Sequence, residues 1–145
     1  MALPFQARAY ETWAPIAGRI LLAGGFVMGA VSKIPGTESF TMQVGMTVAA
    51  GVPFATVAVT LAFILELVAG VAIIIGWQTR LFAFILMLFT ILLTALFHMN
   101  FADPMAFGIF MGHLYLIGGL LYVSVYGAQR MAVKTCPLPH GMMKS

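Results

Sequence analysis

The sequence predicts an all-α membrane protein, a bundle of four transmembrane helices with a short interfacial helix between the first and second spans. Of its 145 residues, 62% are hydrophobic and only 8% are charged, whereas a soluble domain is about one quarter charged. The apolar residues form four runs of about 20 residues, the length that crosses a bilayer. These runs take up most of the chain. We therefore expect one integral membrane domain over residues 1–145, with no separate soluble catalytic domain.

The first span is predicted over residues 14–31 and contains one internal charge, Arg19. The longest connection, residues 36–53, follows it and has two readings. Its apolar residues alternate at period two, as in a strand, but three of them also fit one face of a helix, namely Phe40, Val44 and Val48. Because the membrane penalises unpaired backbone groups, we favour a short helix that lies on or dips into the surface.

The second span, residues 54–76, carries Glu66 near its middle. A carboxylate at this depth is costly and needs a partner. Small residues share its helix face at intervals of four, in the series Ala58, Ala62, Glu66 and Gly70. Another helix can approach such a face closely, so we expect Glu66 to face protein rather than lipid.

The third and fourth spans add most of the remaining polar side chains. The third, residues 80–99, has three polar groups spaced by four that form one ridge, Thr90, Thr94 and His98. The fourth, residues 104–126, begins with Pro104, which suits the first position of a helix, and contains His113. Residues 129–145 are expected to form a loose tail.

The basic residues predict the topology. Four spans place both termini on one side, and that side collects five of the seven basic residues, Arg8, Arg80, Arg130, Lys134 and Lys144. The other side has Lys33 alone, in the outer loop, while Arg80 lies in an inner loop. The positive-inside rule then places both termini in the cytoplasm. We interpret the net charge of +3 as a topology signal, and expect the lipid bilayer rather than nucleic acid as the partner.

Depth estimates arrange the polar residues in a series. At 1.5 Å per residue, Arg19 and Glu66 both lie roughly 18–20 Å below the outer surface, which predicts an ion pair between them. A descending track above that pair could line a pocket open to the outer face, formed by His98, Thr94, Thr90 and His113.

Each member of the series also has a structural interpretation. The Arg19–Glu66 pair could serve only to fix helix register, or Arg19 could extend to the inner surface. The threonines could bond to their own helix backbone. His98 could be an interfacial residue, and His113 an interhelical hydrogen bonder.

Few cofactors fit this sequence. Cys136 is the only cysteine, so neither an internal disulfide nor a dithiol relay is expected. Cys136 and His140 provide two ligands, fewer than a metal site needs. Haem ligated by His98 and His113 is not expected, because their predicted heights differ by roughly 10 Å. A quinone is compatible, since its carbonyls need hydrogen-bond donors in an apolar slot.

Several motifs together resemble the DoxX family of small four-span bacterial membrane proteins. They are Gly18-Arg19-Ile-Leu-Leu with Gly29 and Lys33, Gly51-Val52-Pro53, Glu66-Leu-Val-Ala-Gly70, Gly76-Trp-Gln-Thr-Arg80, His98, and Leu114-Tyr-Leu-Ile-Gly-Gly-Leu-Leu121. The resemblance runs from Ala17 to Gly127. It implies a multi-pass four-helix bundle in a bacterial-type inner membrane, with typical polar positions at Arg19, Lys33, Glu66, Arg80 and His98. Members often carry asparagine where this chain has His113.

Two functional hypotheses follow, the first from the polar series and the resemblance together, the second from the short polar termini and the lack of a catalytic set. Named members of the family include a small subunit of a thiosulfate:quinone oxidoreductase and a membrane component that assembles with redox-defence enzymes. The first hypothesis is therefore a membrane subunit of a redox system that binds a quinone or lipid-like ligand and a protein partner. The second is a non-enzymatic scaffold or anchor for a partner enzyme. The sequence has no complete catalytic set of its own, and it leaves homo-oligomerisation open.

Overall fold

The computed structural model describes residues 4–128, with side chains from residue 13 onward, and this part of the chain is all-helical. Its five helices are α1 (Pro4–Val31), α2 (Glu38–Ala49), α3 (Ala55–Ile75), α4 (Thr79–Phe97) and α5 (Pro104–Tyr126). Four stretches are long and apolar enough to cross a membrane, Trp13–Val31, Ala55–Ile75, Thr79–Phe97 and Pro104–Tyr126. This confirms the predicted fold class, and α2 confirms the helical reading of the connection after the first span. The predicted tail, residues 129–145, lies outside the described residues.

Capping residues explain where α2 and α5 begin and where α3 ends. The hydroxyl of Thr37 accepts a hydrogen bond from Phe40 N at 3.1 Å and caps α2. The carboxylate of Asp103 accepts from Met105 N at 2.9 Å and caps α5. Pro104 follows at the first helical position, as predicted. α3 ends at Ile75 and is capped by Gly76, whose φ of 82° lies in the left-handed region that glycine tolerates.

The helices pack as two close pairs that meet side by side. α1 packs mainly against α3, and α4 mainly against α5, while contacts between α3 and α4 are fewer and those between α1 and α5 are slight. α2 packs against α3. The buried core is formed by Ala23, Phe26, Ala69, Ile73, Ala83, Leu86, Met87 and Leu120. Most of these residues lie in the half of the bundle that contains the α3–α4 turn, which we call the inner half.

The other half of the bundle is less filled because α1 and α3 are offset. Along their antiparallel contact, Gly70 faces Val27, and Gly29 faces Glu66. α1 ends two residues beyond Gly29, whereas α3 begins eleven residues before Glu66. α3 therefore continues about 14 Å farther toward the outer side than α1 does. α2 covers the resulting space.

Candidate ligand-binding site

The space beneath α2 is a cavity of about 570 Å³ bounded by all five helices. Its volume falls in the range of about 300–1,000 Å³ that is usual for small-molecule sites. Most of its lining is apolar. The polar lining residues are Lys33, Gln43, Thr47, Glu66, Thr90, His98 and His113. Five of the predicted polar residues are thus brought to one cavity.

The ion pair of Glu66 is with Lys33, not with Arg19. Lys33 Nζ lies 2.8 Å from Glu66 Oε2, and the two side chains are 14% and 5% exposed. Lys33 Nζ also donates to the carbonyl of Gly29 at 3.0 Å. The predicted Arg19–Glu66 pair is therefore wrong. Lys33, which the sequence placed only in the outer loop, belongs to the site.

The offset between α1 and α3 explains why Glu66 pairs with Lys33 rather than with Arg19. The depth estimate assumed that all spans end in one plane, but α3 extends beyond α1. Arg19 lies ten residues before Gly29, or about 15 Å along α1, far from the level of Glu66. Gly29 also makes room for the carboxylate, because a Cβ built there would lie 3.1 Å from Glu66 Oε2.

The two histidines lie side by side at the outer end of the cavity. The ring centroids of His98 and His113 are 5.1 Å apart in an edge-to-face arrangement. The predicted height difference of roughly 10 Å is therefore wrong. The prediction that haem is absent rested on that height and stays a prediction.

A chain of hydrogen bonds fixes the orientation of His113. Thr90 Oγ1 donates to the carbonyl of Leu86, and Thr94 Oγ1 lies 2.7 Å from both the Thr90 carbonyl and His113 Nδ1. A hydroxyl has one proton, and the carbonyl can only accept it. Both contacts of Thr94 are hydrogen bonds if His113 Nδ1 carries a proton, which leaves Nε2 of the neutral ring as an acceptor.

With both histidines neutral, the formal charges of the site sum to zero. Lys33 and Glu66 neutralise each other, and burial lowers the pKa of the His98 imidazole below its ordinary value of 6.5. Lys33 Nζ uses two of its three protons on Gly29 and Glu66. Within the described residues, Glu66 Oε1 makes no hydrogen bond. The cavity therefore offers both donors and acceptors to a ligand but no net attraction for an anion.

The three other predicted polar residues do not line the cavity: Thr94 contacts His113, and Arg19 and Arg80 lie farther away. Arg19 is buried in α1, where its Nε donates to the carbonyl of Pro15 at 3.3 Å. Arg80 is exposed at the start of α4 and donates to the carbonyls of Ser124 and Val125 near the end of α5. A cation at a helix C-terminus stabilises the partial negative charge there. Arg80 thus ties α4 to α5.

Sequence reasoning missed the contribution of α2. Gln43 and Thr47 line the cavity one turn apart, together with Met46. Gln43 Nε2 also donates to the carbonyl and hydroxyl of Ser32, at 3.2 and 3.0 Å. The spacing of Gln43 and Thr47 by four was the available signal. The apolar residues of this segment, which decide between helix and strand, give no indication of that polar pair.

No group of three metal-binding side chains occurs within the part of the chain that the structure describes. Cys136 and His140 lie outside it. The prediction that no metal binds therefore stays a prediction.

Comparison with known proteins identifies the family. The DoxX family model matches residues 14–99, which include the first three spans but not His113. The chain is also 33% identical over 112 residues to the inner membrane protein YqjF of Escherichia coli (strain K12), an alignment that covers 77% of this chain and 82% of that protein. No solved structure matches the chain. With its four apolar helices and its inner membrane relative, this chain is a multi-pass inner membrane protein that belongs to the DoxX family.

Proposed function

We propose that this protein binds a neutral, lipid-soluble molecule with a carbonyl or hydroxyl head, of the quinone class, as the membrane subunit of a redox system. The observation that carries the proposal is the cavity beneath α2, in which an apolar lining surrounds a few convergent polar groups. Its neutral charge favours a quinone over a phosphate-bearing lipid. Quinone-linked members of the family that the chain resembles support the redox association.

The available hydrogen bonds suit both oxidation states of such a ligand. The third proton of Lys33 could be donated to a quinone carbonyl. Glu66 Oε1 and His113 Nε2 could accept from the hydroxyl groups of the reduced form. His98 lines the same cavity and could donate or accept according to its tautomer.

The proposal is tested with the purified protein in lipid nanodiscs, titrated with a short-tailed ubiquinone and separately with its reduced form. We expect saturable binding by the wild type. His98→Phe keeps an aromatic ring but removes the hydrogen bond, so affinity should fall about five- to tenfold, as expected for roughly 1 kcal/mol. Ala95→Phe, an exposed change on α4 away from the cavity, should bind like wild type. Absence of saturable binding, or equal affinity in His98→Phe, would contradict the proposal.

We propose that both termini lie in the cytoplasm, with the α3–α4 turn on the same side. Lys33, the one basic residue that the sequence places on the outer side, is engaged with Glu66. Exposed aromatic residues favour a membrane interface at the inner end, namely Trp77, Tyr122 and Tyr126. Cytoplasmic reporter fusions at each terminus should be active, and activity of a periplasmic reporter instead would contradict this orientation.

The second candidate function is a scaffold that holds a partner helix or a second copy of the chain. It is favoured by α5, where Gly108 and Gly112 share a face and an added Cβ would meet nothing within 4 Å. Small residues at this spacing suit close helix contact. Crosslinking in native membranes tests this candidate. A crosslinked product that Gly112→Leu abolishes, while quinone binding is absent, would favour the scaffold.

A further inference from the structure

A groove lies along the exposed surface of α3 beside Phe89 of α4, and it adjoins the cavity. That groove is lined by apolar side chains alone, Ala58, Leu61, Ala62, Ile64, Leu65, Val68 and Phe89. Three of them also line the cavity, namely Ala58, Ala62 and Phe89. The groove and the cavity therefore share a boundary.

Small side chains form that boundary on the α3 side. In the inner half, the same face of α3 is covered by α1, since Gly70 would contact Val27 if it carried a Cβ, at 2.9 Å. In the outer half α1 has ended, so Ala58 and Ala62 meet the cavity instead. Each alanine has one methyl group, so the α3 side of this boundary, which we call the gap, carries little side-chain bulk.

We infer that the bound ligand has a long hydrocarbon tail, which leaves the cavity between α3 and α4 and lies in the groove, so that the ligand enters from the bilayer. This inference rests on the proposed function and adds the ligand's tail and its route into the cavity. A cavity of about 570 Å³ accommodates a ring head and a short piece of chain. A longer tail must leave it, and the α3–α4 gap leads to an apolar surface in contact with lipid.

Tail burial in the groove supplies little affinity of its own, because lipid tails are as apolar as the groove. The effect of the gap is therefore steric. A ligand whose tail must pass through the gap depends on its width, whereas a ligand without a tail does not. This difference separates the lateral route from an opening to the aqueous side.

The test compares two probes, long-tailed ubiquinone and a tailless dimethoxy-benzoquinone head group, on protein in nanodiscs. Bound quinone is measured by extraction and chromatography. In Leu65→Trp, a larger side chain fills the groove at a residue that does not line the cavity, so binding of the long-tailed probe should fall at least tenfold while the tailless probe binds within about twofold of wild type. Ala95→Trp introduces the same ring at an exposed position of α4 outside the groove. It should bind both probes like wild type.

The outcomes separate this inference from the proposed function. If Leu65→Trp binds both probes like wild type, the lateral route is wrong and the proposed function stands. If wild type binds neither probe, both are wrong. Leu61→Trp fills the same groove from a second position outside the cavity in case Leu65→Trp does not fold, and the same loss of the long-tailed probe alone is expected.

Discussion

The ion pair between Lys33 and Glu66 gives the sharpest prediction. Lys33→Met keeps a side chain of similar length but removes the ammonium group. Glu66, only 5% exposed, then loses its charged partner in a region of low dielectric constant. Removing one partner of a buried pair costs about 3–5 kcal/mol. We expect the free energy of unfolding to fall by about 3 kcal/mol, the lower end, because the adjacent cavity can admit water.

The two single changes should differ in size. Glu66→Gln leaves Lys33 without a counter-charge, but Lys33 is 14% exposed and its stem follows the end of α1. Its ammonium group can turn toward the outer surface. We expect a loss of about 1 kcal/mol for Glu66→Gln, well below that for Lys33→Met.

The double variant measures the coupling between the two residues. Lys33→Met combined with Glu66→Gln leaves no buried charge, so it should be more stable than Lys33→Met alone by about 2 kcal/mol. The measurement is reversible unfolding in mixed micelles with increasing denaturing detergent. Arg19→Met combined with Glu66→Gln is the matched control and should be additive. The reasoning would be refuted by additivity of the Lys33 and Glu66 changes, or by coupling of Glu66 to Arg19.

Three further predictions follow from single contacts. Gly70→Ala should lower the free energy of unfolding by about 1–3 kcal/mol, because the new Cβ would lie 3.3 Å from the Ala23 carbonyl; the same measurement on Gly24→Ala, which has open space, should show no loss. Since burial lowers the pKa of His98, the unfolded state binds protons first, so stability should fall as the pH drops through about 6.5 and level off below the folded-state pKa. That slope should decrease in His98→Gln; an unchanged pH profile would contradict the prediction. Arg80→Met removes two hydrogen bonds to the end of α5, so the free energy of unfolding should fall by about 1 kcal/mol in the same assay. Stability equal to that of wild type would contradict this prediction.

The fold could be predicted from the sequence because bilayer thickness limits the possible arrangements. Apolar run lengths located the four spans, and the cost of unpaired backbone in a membrane selected a helix for α2 over a strand. Local capping residues then set where helices start, as at Pro104. These features depend on residues near one another in the chain.

The site could be predicted only in part. The cost of a buried charge correctly indicated that Glu66 needs a partner, but choosing between Arg19 and Lys33 required the relative heights of α1 and α3. That offset arises from packing at Gly29 and Gly70. The relative height of two packed helices cannot be obtained from the sequence of either one. The heights of His98 and His113 were misjudged for a related reason, since span ends in a sequence do not mark a common plane. Only a three-dimensional arrangement places α2 over the outer half.

Because α1 ends before the outer end of α3, the size of the cavity depends on the length of α1. The cavity lies where a longer α1 would otherwise pack against α3, and α2 covers that position instead. Individual lining residues can therefore change in size and polarity without closing it, so relatives with the same helix lengths could retain the chamber while altering what it holds. Extending α1 by one helical turn after Val31 would have the opposite effect. It would occupy the chamber with backbone and lift Lys33 away from Glu66.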